Sequence, residues 1–436
     1  MTGTSSSESI YEAIDRSVAE HTNDLIVLRH HLHRNPELSN REAKTAALVA
    51  ERLRAFGLDE VRTGIAGHGV VGVLRGGAAG DRVIALRADM DALPIRETSG
   101  VEFASTVIDE TYPGGPFPVA HACGHDCHTA VVLTTAQVLS SIHDRLPGTA
   151  LFVFQPAEEG APVDEEGGAQ AMLQAGALAD PKPTMVFGMH VGPLPKGVVG
   201  YRIGNFYAAS CLIKIVVTGV GVHASTPWMG KDPMPAAATI VMGAAQLYRQ
   251  VPAYDPVTVT FGHIQDHGRF NTIGDNVTLW GTIRCSVDSD MAEIQNRLRN
   301  LAEHAAQAYG CTAAVEYLQD VPAVNNTRAW VEGTLPTLRR LIGQERVVEI
   351  PPTLGYDDVS EFVNTFGGVY LAYGTQDTTL VGGQLVPVEG GRGVVANHNA
   401  GSYADDGSLV NSVRIHAHVA IDHLTGVLNR YTNQAS

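Results

Sequence analysis

A stretch of eight residues holds the densest group of potential metal ligands in this 436-residue chain. Thiolate sulfur and imidazole nitrogen are ligands that zinc and its neighbours in the transition series prefer. A loop with incidental histidines explains such a density less well than a metal site does. The stretch reads HACGHDCH, and its six candidates are His121, Cys123, His125, Asp126, Cys127 and His128.

Two pairs of carboxylates follow apolar runs of the sequence. Asp89-Met90-Asp91 comes after RVIALRA, and both side chains can face one site because alternate residues of an extended chain point the same way. Glu158-Glu159 comes after TALFVF, and neighbouring side chains there point apart. One glutamate can then bind a metal while the other acts as a general base. Each pair alone is also typical of a solvated acidic turn.

Two further histidines, His190 and His398, complete the candidate set. His190 ends the run TMVFGMH, and His398 lies between two asparagines. A lone histidine is more often structural, but its placement beside the other sites favours a ligand role. The chain has no phosphate-binding loop, dinucleotide fingerprint or Gly-x-Ser-x-Gly motif. The residues therefore predict a metal-activated water that attacks an electrophilic carbon.

Alternating apolar runs and helical patterns predict an α/β catalytic domain with a mostly parallel sheet. Residues 9–56 have a helical pattern, as do 129–143 and 168–177. In an open α/β sheet, ligands bind where strands end, and the candidate residues lie there. Near-continuous apolar runs, typical of strands buried on both faces, occur at 69–74, 82–88, 149–154 and 184–190.

The middle of the chain has a different pattern, strand–helix–strand–strand–helix–strand, which is the order of a ferredoxin-like α+β unit. The predicted strands are 211–218, 256–264, 277–285 and 313–318, and the predicted helices are 232–250 and 290–309. We therefore expect an inserted lid or dimerisation domain at 205–321, between two parts of the catalytic domain at 1–204 and 322–436.

Composition narrows the classes of partner. A formal net charge of -16 argues against nucleic-acid binding, since a phosphate backbone would be repelled. No uncharged apolar run reaches the length of about 18 residues that a membrane span needs. The first residues lack the pattern of a signal peptide, so a cytoplasmic location is expected. The five cysteines are too few and too scattered for a disulfide framework and read as free thiols or ligands.

Several long segments resemble one known family, the M20 metallopeptidases, and in particular their amidohydrolase branch of aminoacylases, hippurate hydrolases and auxin-conjugate hydrolases. The resemblance implies a catalytic α/β domain with an inserted lid that usually also dimerises. It implies a small-molecule substrate and a homodimer or higher homo-oligomer. The matching segments include LRHHLHRNPELSNREAKTA, ALRADMDALPIRE, HACGHDCHTA, FVFQPAEEG, GMHVGPLPKGVVGYR, GVHASTPW and FNTIGDNVTLWGTIR.

The resemblance also assigns roles in the catalytic domain. Glu158 would be the general base that takes a proton from water activated by the metal. Asp91 would orient a ligand, as such carboxylates do. For His121 and Asp126 a structural role fits equally well. The implied ligands of one or two divalent ions of zinc or manganese type are Cys123, His125, Glu159, His190 and His398.

In the inserted domain the resemblance points to three residues. His223 would stabilise an oxyanion, and in dimeric members of the family this histidine comes from the neighbouring subunit. Asn271 and Arg284 match lid positions that bind the polar end of the substrate.

The chain departs from the branch pattern in three places. Gly274 stands where Asn-x-Ile-Pro-Asp has proline, Asp357 where Glu-Asp-Phe-Ser has glutamate, and Asn399-Ala400 where His-Ser-Pro has Ser-Pro. Shortening a side chain by one methylene moves its carboxylate by about 1.5 Å. The departures fall in segments that form the pocket in relatives, so they leave the substrate more open than the chemistry.

Four functions are compatible with these residues. The first is hydrolysis of an N-acyl amino acid or a similar small amide. The second is hydrolytic removal of an amino group from an aromatic ring, as in aminohydrolases of the nitroanthranilate type, and the altered pocket motifs favour it. The third is an inactive metal-binding homologue, and the fourth a structural protein with a closed metal clip. Retention of Glu158 beside a full ligand set argues against the last two.

Overall fold

The chain folds into two compact units, which a computed structural model describes over residues 8–428. The first unit runs to Gly204 and takes in Asn326–Ile350 and the chain from Glu361 onward. The second contains Asn205–Asn325 and the separate stretch Pro351–Ser360.

The second unit is thus longer than the predicted insertion of 205–321. Its separate stretch 351–360 belongs there because its backbone is bonded to the start of the insertion. Thr353 N donates to Phe206 O at 2.9 Å, and Ala208 N donates to Gly355 O at 2.9 Å.

Twelve strands make up the two main sheets. In chain order they are β1 (Glu60–Ile65), β2 (Gly69–Arg75), β3 (Ala78–Asp89), β4 (Pro147–Gln155), β5 (Met185–Pro195), β6 (Val199–Tyr201), β7 (Ala209–Thr218), β8 (Val257–Asp266), β9 (Asn276–Cys285), β10 (Thr312–Val321), β11 (Val347–Glu349) and β12 (Gly368–Gln376). Shorter strands are Ile108–Asp109, Phe117–Pro118, Gly204–Asn205, Val222–His223, Thr272–Ile273, Asn325–Asn326, Thr378–Val381 and Gln384–Pro387.

Ten α-helices accompany these strands in the described part of the chain. They are α1 (Ile10–Glu20), α2 (Thr22–Arg34), α3 (Ala43–Ala55), α4 (His125–Ser141), α5 (Gly168–Gln174), α6 (Pro233–Ala244), α7 (Asp288–Ala308), α8 (Arg328–Ile342), α9 (Val359–Phe366) and α10 (Asp406–Leu424). Within residues 8–428, none of the helices has both the length and the apolar character that crossing a membrane requires.

The first unit is built on an eight-stranded sheet with the order β1-β2-β4-β3-β5-β12-β6-β11. Its centre, β4-β3-β5-β12, is parallel, while β1, β2 and β6 add antiparallel pairs toward the edges. Three of the apolar runs predicted as strands lie in this centre, as β3, β4 and β5, while the run at 69–74 is the antiparallel strand β2. They are buried along most of their length because helices cover the sheet, among them α4 and α10. The structure therefore confirms the predicted mostly parallel α/β fold.

The predicted helical stretch at 9–56 is three helices. Ser9 caps α1, since its Oγ accepts Glu12 N at 3.2 Å and its N donates to Glu12 Oε2 at 2.7 Å. The chain leaves the helix again after Arg34, where Asn35 precedes Pro36, because a residue before proline disfavours helical geometry. The segment 36–42 that follows is an extended connection, and it reaches the candidate site.

The second unit has the predicted ferredoxin-like arrangement. Its four-stranded sheet has the order β8-β9-β7-β10, and each pair is antiparallel. Alternate residues of β7, such as Ile213 and Ile215, are fully buried under α6 and α7. The helix predicted at 232–250 ends at Ala244 and is followed by a short 3-10 turn at Leu247–Gln250.

Candidate metal centre

The ends of neighbouring parallel strands bring the predicted site residues of the first unit together. β3 ends at Asp89 and leads directly to Asp91, and β4 ends at Gln155 just before Glu158. His190 lies within β5, on the other side of β3 from β4, and α4 begins at His125. Because these strands run parallel, their carboxyl ends share one edge of the sheet, which is where such folds bind ligands.

The five predicted ligands fall into two overlapping sets. Cys123, His125 and His190 form one set, and Cys123, Glu159 and His398 form the other. Within each set the potential ligand atoms lie within 4.8 Å of one another. The structure thus places all five side chains around one point, while their binding of a metal stays a prediction.

Individual distances show how tight the grouping is. Cys123 Sγ lies 3.4 Å from His190 Nε2, and His398 Nε2 lies 3.1 Å from Glu159 Oε1. His125 Nε2 lies 3.8 Å from the same glutamate oxygen. Soft sulfur, imidazole nitrogen and carboxylate oxygen in one place make a donor set that zinc and manganese accept.

The surroundings of His125 test whether this site fits a cation. Its Nδ1 donates to the main-chain oxygen of Asp91 at 2.9 Å, so in the neutral ring the lone pair is on Nε2. Burial opposes the charge of His125, but Asp89, Cys123 and Asp91 raise its pKa well above the usual value, so a bound cation would replace a proton on Nε2. Nε2 is buried and has no hydrogen-bond partner among residues 8–428. Carboxylate oxygens of Asp89 and Glu158 each lie 3.7 Å from it. A buried imidazole held at one nitrogen and facing carboxylates with the other is the arrangement of metal-binding histidines, so the residues fit a divalent ion.

Asp91 holds two of the predicted ligands in place. Its Oδ1 accepts from His125 Nδ1 at 3.1 Å, and its Oδ2 accepts from Glu159 N at 2.9 Å and Ser39 Oγ at 2.7 Å. Burial opposes ionisation of Asp91, but the hydrogen bond and charge of His125 and the bond from Ser39 lower its pKa below the usual value. The orienting role that the sequence predicts for Asp91 stays a prediction. Ser39 was not predicted.

Asp89 and His128, two candidates of the sequence analysis to which the resemblance assigns no role, form a second support. Asp89 Oδ2 accepts from Arg87 Nη1 at 2.7 Å, and Asp89 Oδ1 accepts from His128 Nδ1 at 2.6 Å. His128 Nε2 in turn accepts from Val191 N at 2.9 Å, next to His190. Burial opposes the charge, but His125, Arg87 and His128 hold the pKa of Asp89 well below its usual range. In the sequence, the signal for Asp89 is its position two residues before Asp91.

The ionisation of the ligand candidates follows from burial and mutual contact. Burial, with the nearby His128, pushes the pKa of His190 well below its usual value, so this imidazole is neutral and able to bind a cation. Burial raises the pKa of the Cys123 thiol. Hydrogen bonds to Cys123 and Glu159 raise the pKa of His398 to about 10.

Gly124 allows the start of α4 to lie against β5. Its φ is 90°, a value that favours glycine, and a Cβ at this position would lie 2.2 Å from Cγ2 of Val191. The residue between Cys123 and His125 must therefore be glycine for both side chains to reach the site.

The loop that carries His398 is attached by its neighbours. Asn397 Nδ2 donates to Cys123 O at 3.1 Å and to Val191 O at 3.0 Å, and His398 N donates to Ala122 O at 2.9 Å. Asn399 Oδ1 accepts from Gly401 N at 2.9 Å, so its side chain closes a turn at one of the three places where the chain departs from the expected branch pattern.

Asp126 has the contacts of a structural residue, one of the two roles that the sequence left open. Its Oδ2 accepts from Arg29 Nε at 2.8 Å and from His33 Nδ1 at 2.8 Å. His33 Nε2 donates to Glu97 at 3.0 Å. His121 lies beside this network, and burial lowers its pKa to about 4.

The remaining predicted residues belong to the second unit. His223 is exposed, its Nδ1 accepts from Ser225 N at 3.1 Å, and it lies 2.7 Å from Ser225 Oγ. Asn271 is exposed as well, and its main-chain oxygen accepts from Ala224 N at 3.0 Å. Arg284 is partly buried on β9, with its guanidinium 4.2 Å from the centre of the Tyr356 ring. Their roles toward a substrate stay predictions.

The fold and this donor set define an α/β protein with a candidate site for a divalent transition-metal ion. Residues 85–421 match Peptidase family M20/M25/M40, and the chain belongs to this family.

Curated relatives of known description cover most of the chain. It is 31% identical over 406 residues to an IAA-amino acid hydrolase of Arabidopsis thaliana, which covers 92% of this chain and 85% of the relative. It is 34% identical over 417 residues to thermostable carboxypeptidase 2 of Saccharolobus solfataricus, with 94% and 98% covered. Relatives of this chain are thus hydrolases, among them one named for amino acid conjugates and one named as a carboxypeptidase.

A solved structure from Bacillus subtilis, described as a dinuclear metal binding peptidase from the M20 family, has the same fold. The TM-score is 0.72 at 28% sequence identity, with 93% of this chain and 99% of that chain covered. This likeness and the two candidate ligand sets together support a divalent metal.

Proposed function

We propose that this chain is a metal-dependent hydrolase that cleaves the amide bond of an N-acyl amino acid or a similar small conjugate. The observation that carries the proposal is the buried Nε2 of His125, which faces Glu158 and Glu159 and has no hydrogen-bond partner in the described chain. The relative named as a hydrolase of IAA-amino acids supports this substrate class.

In this proposal the ion is manganese or zinc. Two overlapping candidate sets that share Cys123 leave room for one ion or two. When bound, the ion would lower the pKa of a water molecule and polarise the scissile carbonyl. The residues that would hold it are Cys123, His125, Glu159, His190 and His398.

Glu158 is the proposed general base. It shares a third candidate set with His125 and Glu159, its Oε2 is 3.7 Å from His125 Nε2, and only 4% of the residue is exposed. Its carboxylate would take a proton from the attacking water and deliver it to the leaving nitrogen. The neighbouring Glu159 donates its main-chain N–H to Asp91. In the proposal Glu158 then acts as the base while Glu159 binds the metal.

The second unit would supply the contacts to the substrate. We assign oxyanion stabilisation to His223 and binding of the substrate's polar end to Asn271 and Arg284. The proposal includes a homodimer in the cytoplasm, in which His223 serves the partner's site.

A second candidate is hydrolytic deamination of an aromatic amine. Gly274, Asp357 and the Asn399-Ala400 pair favour it, because they change segments that form the pocket in relatives. Water would add to the ring carbon that bears the amino group, and a nitro substituent would hold the developing negative charge. Loss of ammonia would then leave a hydroxyl group on the ring.

A product assay distinguishes the two candidates. Protein freed of metal by a chelator is reloaded with Mn²⁺ or Zn²⁺ and offered N-acetyl amino acids, hippurate, indole-3-acetyl amino acids, dipeptides and nitro-substituted anthranilates. The first candidate predicts a carboxylic acid and a free amino acid, and the second predicts ammonia and a phenol. Faster turnover of dipeptides than of acyl amino acids would instead favour a peptidase.

The same experiment tests the dependence on metal. We expect no turnover after chelation and full recovery on reloading. Turnover that persists in protein shown to be metal-free would overturn the proposal.

A further inference from the structure

A buried carboxyl group that the proposed mechanism does not use lies directly behind the Glu158-Glu159 pair. Glu42 comes from the connection between α2 and α3 and is completely buried. Its Oε1 accepts from Ala157 N at 2.8 Å and from Asn40 N at 3.0 Å. Its other oxygen, Oε2, has no hydrogen-bond partner within residues 8–428. The side chain therefore joins the 36–42 segment to the turn that carries both glutamates.

That turn has an unfavourable backbone conformation. Ala157 has a φ of 53°, in the left-handed region that residues with a Cβ rarely adopt. Asn40, bonded to the same carboxyl oxygen, has a φ of 60°. Backbone strain of this kind persists only where the surroundings hold it in place. At Ala157 the group that holds the peptide N–H is Glu42.

The conformation of Ala157 sets the direction of the next two side chains. Glu158 follows it directly, and Glu159 is fixed one residue later by its N–H bond to Asp91 Oδ2. Ser39, three residues before Glu42, donates to the same Asp91 oxygen. The 36–42 segment thus supports the site at two points, the carboxylate of Asp91 and the peptide of Ala157.

We propose that Glu42 is a positioning residue, which holds the left-handed turn at Ala157 and through it the directions of Glu158 and Glu159. The inference rests on the proposed function, because it assigns Glu42 a part in placing that function's base and ligand. It acts as a hydrogen-bond acceptor and transfers no proton.

The electrostatics of the site favour an uncharged acceptor. Burial and the nearby charge of Asp91 raise the pKa of Glu42 to about 8. Glutamine has the same shape and keeps a carbonyl oxygen, so it can accept both hydrogen bonds. Glu42→Gln should therefore keep the turn, whereas Glu42→Ala should release it.

The test measures kcat, KM, metal affinity by chelator competition, and amide exchange at Ala157 for both variants. For Glu42→Ala we expect kcat to fall about tenfold to a hundredfold with little change in KM, since short displacements of catalytic groups cost that much. Metal affinity should fall by about tenfold or more, as on loss of other groups that support ligands. Exchange at Ala157 should become faster. Glu42→Gln should match the unmodified protein in all four.

A rescue variant separates positioning from general stability. Glycine adopts positive φ without strain, so adding Ala157→Gly to Glu42→Ala should restore part of kcat and of metal affinity. Glu37→Ala is the matched control from the same segment. Its carboxylate accepts from Lys44 N, Thr45 N and Thr45 Oγ1, and within residues 8–428 it has no hydrogen bond to the turn. It should lower the denaturation midpoint and leave kcat unchanged.

Several results would overturn the inference. Glu42→Ala with unchanged kcat, metal affinity and exchange would show that the turn does not need Glu42. A Glu42→Gln variant as impaired as Glu42→Ala would show that charge or proton transfer matters instead. A pattern identical to that of Glu37→Ala would reduce Glu42 to a stabilising residue. Failure of the proposed function looks different, because the unmodified protein would then bind no metal or release no product, while exchange at Ala157 would still respond to Glu42→Ala.

Discussion

Most predicted chemical residues of the first unit are held differently from those of the second, with the exposed His398 and the partly buried Arg284 as exceptions. In the first unit Asp91 and His125 are fully buried, and Asp91 alone receives three hydrogen bonds from three different segments. In the second unit His223 and Asn271 are exposed, and the contacts of His223 are with Ser225, two residues away. The first group has a geometry fixed before any substrate arrives, as catalysis by preorganised groups requires. The second group is accessible, as the substrate contacts proposed for it require.

The largest effect on turnover should come from a buried residue of the first unit, the proposed base Glu158. Glu158→Gln should lower kcat by about 10²-fold to 10⁴-fold, the usual contribution of a general base, because an amide cannot take the proton. Metal content should not change, since none of the five predicted ligands is altered, and the metal analysis tests this because Glu158 also lies in a candidate set with His125 and Glu159. Steady-state kinetics and metal analysis of the same preparation measure both. Full turnover with metal bound would refute the assignment.

A somewhat smaller effect should come from the exposed group. His223→Ala should lower kcat by about 10²-fold to 10³-fold, as for loss of an oxyanion donor, without affecting metal binding. His267→Ala, another exposed histidine of the same unit, is the control and should retain activity.

Mixing subunits extends this test. If His223 acts across a dimer, a heterodimer of His223→Ala and Glu158→Gln chains contains one complete site and regains activity. No recovery in a confirmed heterodimer would confine His223 to its own chain.

The smallest effect concerns stability and leaves the chemistry in place. Burial opposes the charge of His33, but Asp126 and Glu97 raise its pKa to about 8, against the opposing charge of Arg29. Because the pKa of His33 is higher in the folded protein than its value of about 6.5 in the unfolded chain, the protonated side chain stabilises the fold fully below pH 6.5. This stabilisation is lost as the pH rises through 8. The contribution lost is about 2 kcal/mol, at 1.4 kcal/mol for each unit of pKa shift.

Chemical denaturation of protein that a chelator has freed of metal, carried out at several pH values, measures this loss. The difference in unfolding free energy between the unmodified protein and His33→Gln should shrink between pH 6.5 and 8. A difference that stays constant across this range would show that His33 is not charged in the folded state.

The sequence predicted the positions at which the site would form, because strand ends and ligand types are local features. Asp91, His125 and Glu158 each follow or begin a recognisable element, and the parallel order of the strands brings them together. The ferredoxin-like order of the second unit was equally predictable, since apolar residues repeat with different periods in helices and in strands.

The supports of the site were not predictable in the same way. Glu42 precedes an ordinary amphipathic helix, and nothing local distinguishes it from a solvated residue. Its burial depends on contact with Ala157, 115 residues further along the chain. Asn397 likewise acquires its role from carbonyl groups of two distant segments. Side chains that act by bonding to remote main-chain atoms leave no pattern in one sequence.

Gly124 limits how this protein can change over time. Each single-base change in a glycine codon that yields another amino acid adds a Cβ, and here the Cβ would collide with Val191. A substitution of Gly124 would therefore require an earlier substitution in β5 that makes room for the Cβ. The residue between Cys123 and His125 is constrained by its packing against β5 as well as by any bound ion. An inactive descendant that no longer needed metal would therefore still be expected to retain this glycine.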